Sequence, residues 1–131
     1  MVLVDTSVWI DFLGGKRTSE AEALSGLLKE EVSLVFTGIL LQELLQGCSV
    51  EREASQIETY FEPFIEITPQ RSSYRLAAKL YRDCRKKGYA IRSSVDCLVA
   101  ACAIENECRI LHRDRDYTHI GKVSDLQIFS L

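Results

Sequence analysis

The stretch SVDCLVAACAIENECRILHRDRD, Ser94–Asp116, decides the fold class. It opens with apolar residues at helical spacing, and Ser93-x-x-Asp96 supplies a start signal, so the spacing predicts a helix over Ser94–Asn106. A short apolar run, Arg109-Ile110-Leu111, follows and is read as a buried strand. Two acids, Asp114 and Asp116, stand just beyond its carboxyl end. A helix, a buried strand and polar residues where the strand ends form the repeating unit of a parallel sheet covered by helices.

Outward from this unit the alternation continues to both ends. Val2–Val4, Leu34–Phe36, Phe64–Ile67 and Leu126–Phe129 complete five expected buried strands. Ser19-x-x-Glu22 forms a capping box ahead of Leu24, Leu27 and Leu28. Thr37 caps a helix over Ile39–Gln46 that Gly47 ends, and another helix covers Val50–Phe61. Thr68-Pro69 opens a long helix to about Lys87, with Pro at its first position and Gly88 as its stop. Ser94–Asn106 is then the last substantial helix. No linker, repeat or low-complexity tract intervenes, so residues 1–131 are expected to form one domain. The fold class is α/β, with a mainly parallel five-stranded sheet, helices on both faces and right-handed crossovers. Ligands of such sheets collect at the carboxyl ends of strands, where strand order reverses.

The chain has 131 residues, 47% hydrophobic and 27% charged, which excludes a disordered tail. Its net charge of −3 argues against a uniformly basic nucleic-acid binder. The charges are nevertheless segregated: half of the sixteen Lys and Arg lie between residues 71 and 92, opposed only by Asp83. On the helix after Pro69, Arg71, Arg75, Lys79, Arg82 and Lys86 share a face less than about 90° wide. Arg92 continues them through the Gly88–Arg92 loop toward Asp96. This single-sign track suits a phosphate backbone, against the plainer reading of a solvated face. Five cysteines, at 48, 84, 97, 102 and 108, include no C-x-x-C pair, and His112 and His119 are the only histidines. Zinc is therefore not expected, and reduced packing thiols in a cytoplasmic protein are. No run approaches the roughly 20 apolar residues that span a membrane. Trp9 and Phe12 are expected in the core, any exposed part being a seat for a partner helix.

The acids concentrate the chemistry. Asp5 ends the first strand, followed by the hydroxyls Thr6 and Ser7, so two strands deliver acids to one sheet edge. Each of these aspartates could equally cap the helix after it. Asp96 projects with Val99, Ala100 and Ala103 on an apolar helix face, although a capping box with Ser93 would also explain it. Glu43 lies with Gln42 and Gln46 in a polar stripe on a Leu-rich helix, facing water or a cleft. Two charges about 5 Å apart repel by roughly 3 kcal/mol at an effective dielectric near 20, so converging carboxylates need protons or a cation. All-oxygen donors suit Mg²⁺ or Mn²⁺, the usual equipment of phosphodiester chemistry.

These residues resemble the PIN-domain ribonucleases. Val2-Leu3-Val4-Asp5-Thr6-Ser7 resembles their opening, and Glu43 within Leu41–Gly47 their second acidic motif. Asp96 within Asp96–Ala103 resembles the third, and Arg113-Asp114-Arg115-Asp116-Tyr117 the last. The four occur in order across essentially the whole chain, and the length resembles that of a VapC-type toxin of a toxin–antitoxin pair. The resemblance implies strand order 3-2-1-4-5, with the reversal between the first and fourth strands. It implies a Mg²⁺- or Mn²⁺-dependent endoribonuclease that leaves a 5′-phosphate, works as a homodimer and is blocked by a cognate VapB-type antitoxin. Asp5, Glu43, Asp96 and Asp114 would be its catalytic acids, with Asp5, Asp96, Asp114 and Asp116 on the metal and Thr6 and Ser7 in support. His112 departs from the pattern, standing where relatives often carry Thr or Ser. A receiver-type signalling domain would want paired acids after the first strand, and phosphatases with a D-x-D motif are excluded by Ser7. A PIN nuclease of RNA processing, without an antitoxin, is the closest alternative.

Overall fold

Side-chain alternation along the first strand divides the interior in two. Val2 and Val4 of β1 (Val2–Val4) point into one core and Leu3 into the other. The computed structural model describes residues 1–131. After β1 come α1 (Thr6–Leu13), α2 (Ser19–Lys29), β2 (Leu34–Thr37), α3 (Gly38–Gln46), α4 (Glu51–Phe61) and β3 (Ile65–Ile67). Then follow α5 (Arg71–Lys86), α6 (Ser94–Glu105), β4 (Arg109–Leu111), α7 (Arg115–Val123) and β5 (Gln127–Ile128). The strands form one parallel sheet in the order β3-β2-β1-β4-β5, with Leu3 aligned to Val35 on one side and Ile110 on the other. The expected order and the reversal between β1 and β4 are both present.

The two faces are packed with different materials. One core joins Leu3, Val35, Ile67 and Ile110 to α5, α6 and α7, and it is rich in small residues: Cys84, Cys97, Ala100, Ala101, Cys102 and Ala103. The other joins Val2, Val4, Leu34 and Phe36 to α1, α2 and α4, and it is aromatic. There Trp9 meets Phe61 with ring centroids 4.8 Å apart and Phe12 edge-on at 6.0 Å. Trp9 is buried and Phe12 half-buried, as expected of core residues; the exposed apolar side chains of α1 are Ile10 and Leu13 instead. Helix α3 straddles the faces, sending Leu40 to one core and Leu44 to the other. All five cysteines are free thiols, four of them buried.

Several boundaries differ from the sequence expectation, each for a physical reason. The cap of α2 is Thr18, whose Oγ1 accepts the Ala21 N–H at 3.0 Å, so Ser19 starts the helix rather than capping it. The long helix begins at Arg71, not at Pro69, because Gln70 and Ser73 form a reciprocal cap. Its end is as expected. Gly88 has φ +82°, and the bonds from Gly88 N to Arg85 O and from Tyr89 N to Cys84 O close a Schellman turn. The edge strands are shorter and more exposed than buried strands would be: β5 spans two residues, both exposed, and Ile65 of β3 is exposed. A strand at a sheet edge has one neighbour only and need not be covered. Ser94–Glu105 is not the last substantial helix either. α7 follows it, its start capped by Asp114 and its apolar face carried by Tyr117 and Ile120.

Candidate metal centre and active site

Asp5 and the β4 exit are brought together by the sheet itself. The Asp5 N–H donates to Leu111 O at 2.9 Å, so the first carboxylate sits directly beside the strand that leads to Asp114 and Asp116. Asp5 also caps α1: its Oδ2 accepts from the Ser7 hydroxyl at 3.0 Å and the Ser7 N–H at 3.4 Å. Asp114 caps α7, its Oδ1 accepting the Asp116 N–H at 2.9 Å. The capping reading and the site reading therefore hold for the same residues. A cap fixes the backbone around a carboxylate and leaves lone pairs free.

Asp96 makes no such cap. Ser93 begins α6 without a side-chain bond, and the capping box is absent. The Ser93 N–H goes instead to Asp116 Oδ2 at 3.1 Å, and the Arg92 N–H to the two Asp116 oxygens at 3.1 and 3.2 Å. Asp116, 1% exposed, thus ties the entry of α6 to the first turn of α7. Through that tie, oxygens of Asp96, Asp114 and Asp116 come within 4.8 Å of one another. Asp5 lies outside this trio and is linked to it by Tyr117, whose hydroxyl donates to Asp5 Oδ1 at 2.8 Å and lies 3.2 Å from Asp96 Oδ1.

The crowding shows in the proton affinities. Burial foremost, then the neighbouring carboxylates of Asp116, Asp5 and Asp114, push the Asp96 carboxyl up to about 8. Burial alone would also raise Asp114, but the Asp116 N–H and the Arg92 guanidinium at 3.2 Å hold it below the usual carboxylate range. Burial, with the charges of Asp5 and Asp96, raises the Tyr117 phenol well above its ordinary value, so it keeps its proton. His112, its ring 5.1 Å from that of Tyr117, is lowered by burial against the pull of Asp5 and Asp114. It therefore favours the neutral imidazole.

The donor set fits a hard dication. It is made of carboxylate oxygens, and Asp96 Oδ2 is buried with no hydrogen-bond donor at all. A buried carboxylate oxygen without a donor is costly, and beside other carboxylates only a proton or a cation relieves it. The remaining expected residues are arranged around this centre. Thr6, buried at the start of α1, donates to Glu43 Oε1 at 3.0 Å, which splits the stripe on α3: Glu43 turns inward, while Gln42 and Gln46 are exposed. Arg92 reaches Asp114. Arg71, Arg75, Lys79, Arg82 and Lys86 are all exposed on α5, with Lys79 paired to Asp83 at 2.6 Å. Arg82 shares a surface depression with Ser94 at the start of α6, so the basic face runs to the entry of the helix that carries Asp96.

Two further residues take part. For Tyr117, a tyrosine at a core position of an amphipathic helix is the available sequence signal, since a buried phenol needs a partner. Arg113 pairs with the nearly buried Asp11 and lies 3.9 Å from Glu20, pinning α1 and α2 to the β4–α7 connection. A groove of about 540 Å³ between α1, α3 and α4 is lined by Ile10, Leu13, Leu44, Ile57, Tyr60 and, alone among the site acids, Glu43.

Comparison with known proteins agrees with the fold. The PIN-domain family profile matches residues 2–123. Ribonuclease VapC11 of Mycobacterium tuberculosis and VapC ribonuclease Mb1587 of Mycobacterium bovis are each 31% identical over 132 aligned positions, covering 99% of this chain and 98% of theirs. Among solved structures, FitAcB from Neisseria gonorrhoeae superposes with a TM-score of 0.76 at 19% identity, covering 99% of this chain and 97% of its own. VapBC2 from Rickettsia felis, bound to a DNA fragment from its promoter, gives 0.76 at 16% identity, with 98% of both chains covered. VapBC-1 from nontypeable Haemophilus influenzae gives 0.75 at 22%, covering 98% of this chain and 97% of that one. At those identities the structures speak for the fold, and the sequence matches speak for kinship. With its acids at the β1–β4 reversal and these matches along its length, the chain belongs to the PIN-domain family, alongside the VapC ribonucleases.

Proposed function

We propose that residues 1–131 form one metal-dependent endoribonuclease domain, the toxin of a VapBC-type pair. The observation that carries this reading is the trio of Asp96, Asp114 and Asp116 within 4.8 Å at the sheet's reversal point, holding a donor-free buried oxygen. Asp5, Asp96, Asp114 and Asp116 would hold Mg²⁺ or Mn²⁺. When bound, the cation supplies Lewis acidity toward water and a phosphate oxygen. The protein's own groups do the rest. Ser7 fixes Asp5, and Thr6 fixes Glu43, whose carboxylate orients the attacking water and takes up its proton. Asp116 holds the α6 entry in place. Arg92 and the α5 residues Arg71, Arg75, Lys79, Arg82 and Lys86 bind the RNA backbone phosphates, which delivers a phosphodiester to the acids.

The same reading gives a homodimer in the cytoplasm, silenced by a cognate VapB-type antitoxin. Two features support the antitoxin partner: the apolar groove that Glu43 helps to line, and the likeness in fold to VapBC2, VapBC-1 and a toxin–antitoxin complex from Klebsiella pneumoniae. No helix is long and apolar enough to cross a membrane. The test is cleavage of bulk RNA by the purified chain with Mg²⁺ or Mn²⁺, followed by sequencing of the new 5′ ends. The expected result is 5′-phosphorylated fragments that disappear in excess EDTA and in Asp5→Asn. Undiminished cleavage under either condition would sink the proposal.

A further inference from the structure

We propose that Tyr117 is a positioning residue that selects which oxygens Asp5 and Asp96 offer to the cation. This rests on the reading of those acids as a cation site. Three separate elements meet at one hydroxyl: Asp5 from the end of β1, Asp96 from the first turn of α6, and Tyr117 from α7. The Tyr117 ring is wholly buried, enclosed by the small-residue core and flanked by His112. It cannot swing to follow a moving carboxylate, so the carboxylates are set by it.

The bonds are selective. The hydroxyl takes Oδ1 of Asp5 at 2.8 Å and Oδ1 of Asp96 at 3.2 Å. Asp5 Oδ2 is held separately by Ser7, whereas Asp96 Oδ2 receives no donor and is left buried. One phenol proton is thus shared by two acceptors, and both carboxylate planes are turned about a common point. A phenylalanine would fill the same space and turn neither. Groups that orient ligands without touching the metal typically contribute about ten- to a hundredfold in metal affinity.

The experiment compares wild type with Tyr117→Phe by calorimetric Mn²⁺ titration and by cleavage rate as a function of Mn²⁺. The Mn²⁺ Kd should rise about tenfold in Tyr117→Phe, and the Mn²⁺ needed for half-maximal cleavage should rise in parallel. Excess Mn²⁺ should then restore the rate to within about threefold of wild type, which a defect in packing would not allow. A Kd within about twofold of wild type, or a rate defect that excess Mn²⁺ leaves in place, overturns the proposal. A wild-type chain that binds Mn²⁺ and cleaves RNA while Tyr117→Phe is unaffected overturns this inference alone; a wild type that binds no Mn²⁺ overturns the metal-dependent reading beneath it. Should Tyr117→Phe fail to fold, the wild-type protein still decides. The buried hydroxyl proton of Tyr117 should move in the proton NMR spectrum on addition of diamagnetic Mg²⁺, and an unmoved resonance counts against the role.

Discussion

Asp116 and Glu43 approach the acidic centre through different halves of the molecule and are held in different ways. Asp116 is buried, accepts backbone N–H groups from Arg92 and Ser93, and belongs to the side built by α6 and α7. Glu43 is half-buried and is held by the Thr6 hydroxyl, on the side built by α1 and α3. The first side is packed with alanines and cysteines, and there oxygens of three carboxylates lie within 4.8 Å of one another. The second borders the open groove at Ile10, Leu13 and Tyr60. A site that must grip a small cation firmly and admit a long, varied polymer has reason to be rigid on one side and accessible on the other.

The sharpest way to break this contrast is to remove charge from each side in turn. Asp96→Asn should lower metal-supported RNA cleavage by about a hundredfold or more, since the residues behind a ligand already account for about ten- to a hundredfold. The same variant should change how stability depends on pH. Folded Asp96 binds its proton more tightly than the unfolded chain does, so metal-free protein should lose stability as pH rises from about 4, the unfolded carboxylate value, through about 8. Urea midpoints in EDTA should fall across that window in wild type and fall less in Asp96→Asn; equal slopes would refute the forced crowding of the α6–α7 side.

Glu43→Gln should cost about a hundredfold in cleavage rate while leaving Mn²⁺ affinity within about threefold of wild type, because it deletes a proton acceptor and keeps the Thr6 bond. Equal losses of metal affinity in Asp96→Asn and Glu43→Gln would erase the distinction between the two sides. The smallest effect is expected from Arg75→Ala, Lys79→Ala and Arg82→Ala combined. RNA binding should weaken by about three- to tenfold at low salt and depend less steeply on salt concentration. An unchanged salt slope would return α5 to an ordinary solvated face.

Much of this was legible in the residues, and what was not has a common cause. Short apolar runs ending in Asp5 and in Asp114 placed two carboxylates at one sheet edge, because strand direction alone decides which end of a parallel sheet an acid occupies. The inward turn of Asp96 followed from its spacing to Val99, Ala100 and Ala103. Its release from a capping box did not, because the competing partner of Ser93 N–H is Asp116, on another helix. Tyr117 was hidden for the same reason. Its periodicity places a ring in the core, but the destination of its hydroxyl depends on how β1, α6 and α7 meet. Helix α7 carries little periodic signal because Arg115, Asp116, Thr118, His119 and Lys122 leave few apolar positions in a nine-residue span. Local pattern fixes which face is buried; long-range polar bonds are set only after the elements have packed.

The cysteines of the dense side add a property unrelated to catalysis. Burial pushes the Cys97 thiol up to about 12 and Cys102 up to about 11, and it also raises Cys84 and Cys108, while Cys48 is half-exposed. Thiolates are the reactive form, so an alkylating reagent meets Cys48 promptly and the other four only when the fold parts around them. The chain therefore carries an internal clock. The rate at which Cys97, which lies against Ala77, Ala78 and Tyr81, is labelled reports how often the helix bearing Asp96 parts from α5, with no need for the protein to be active.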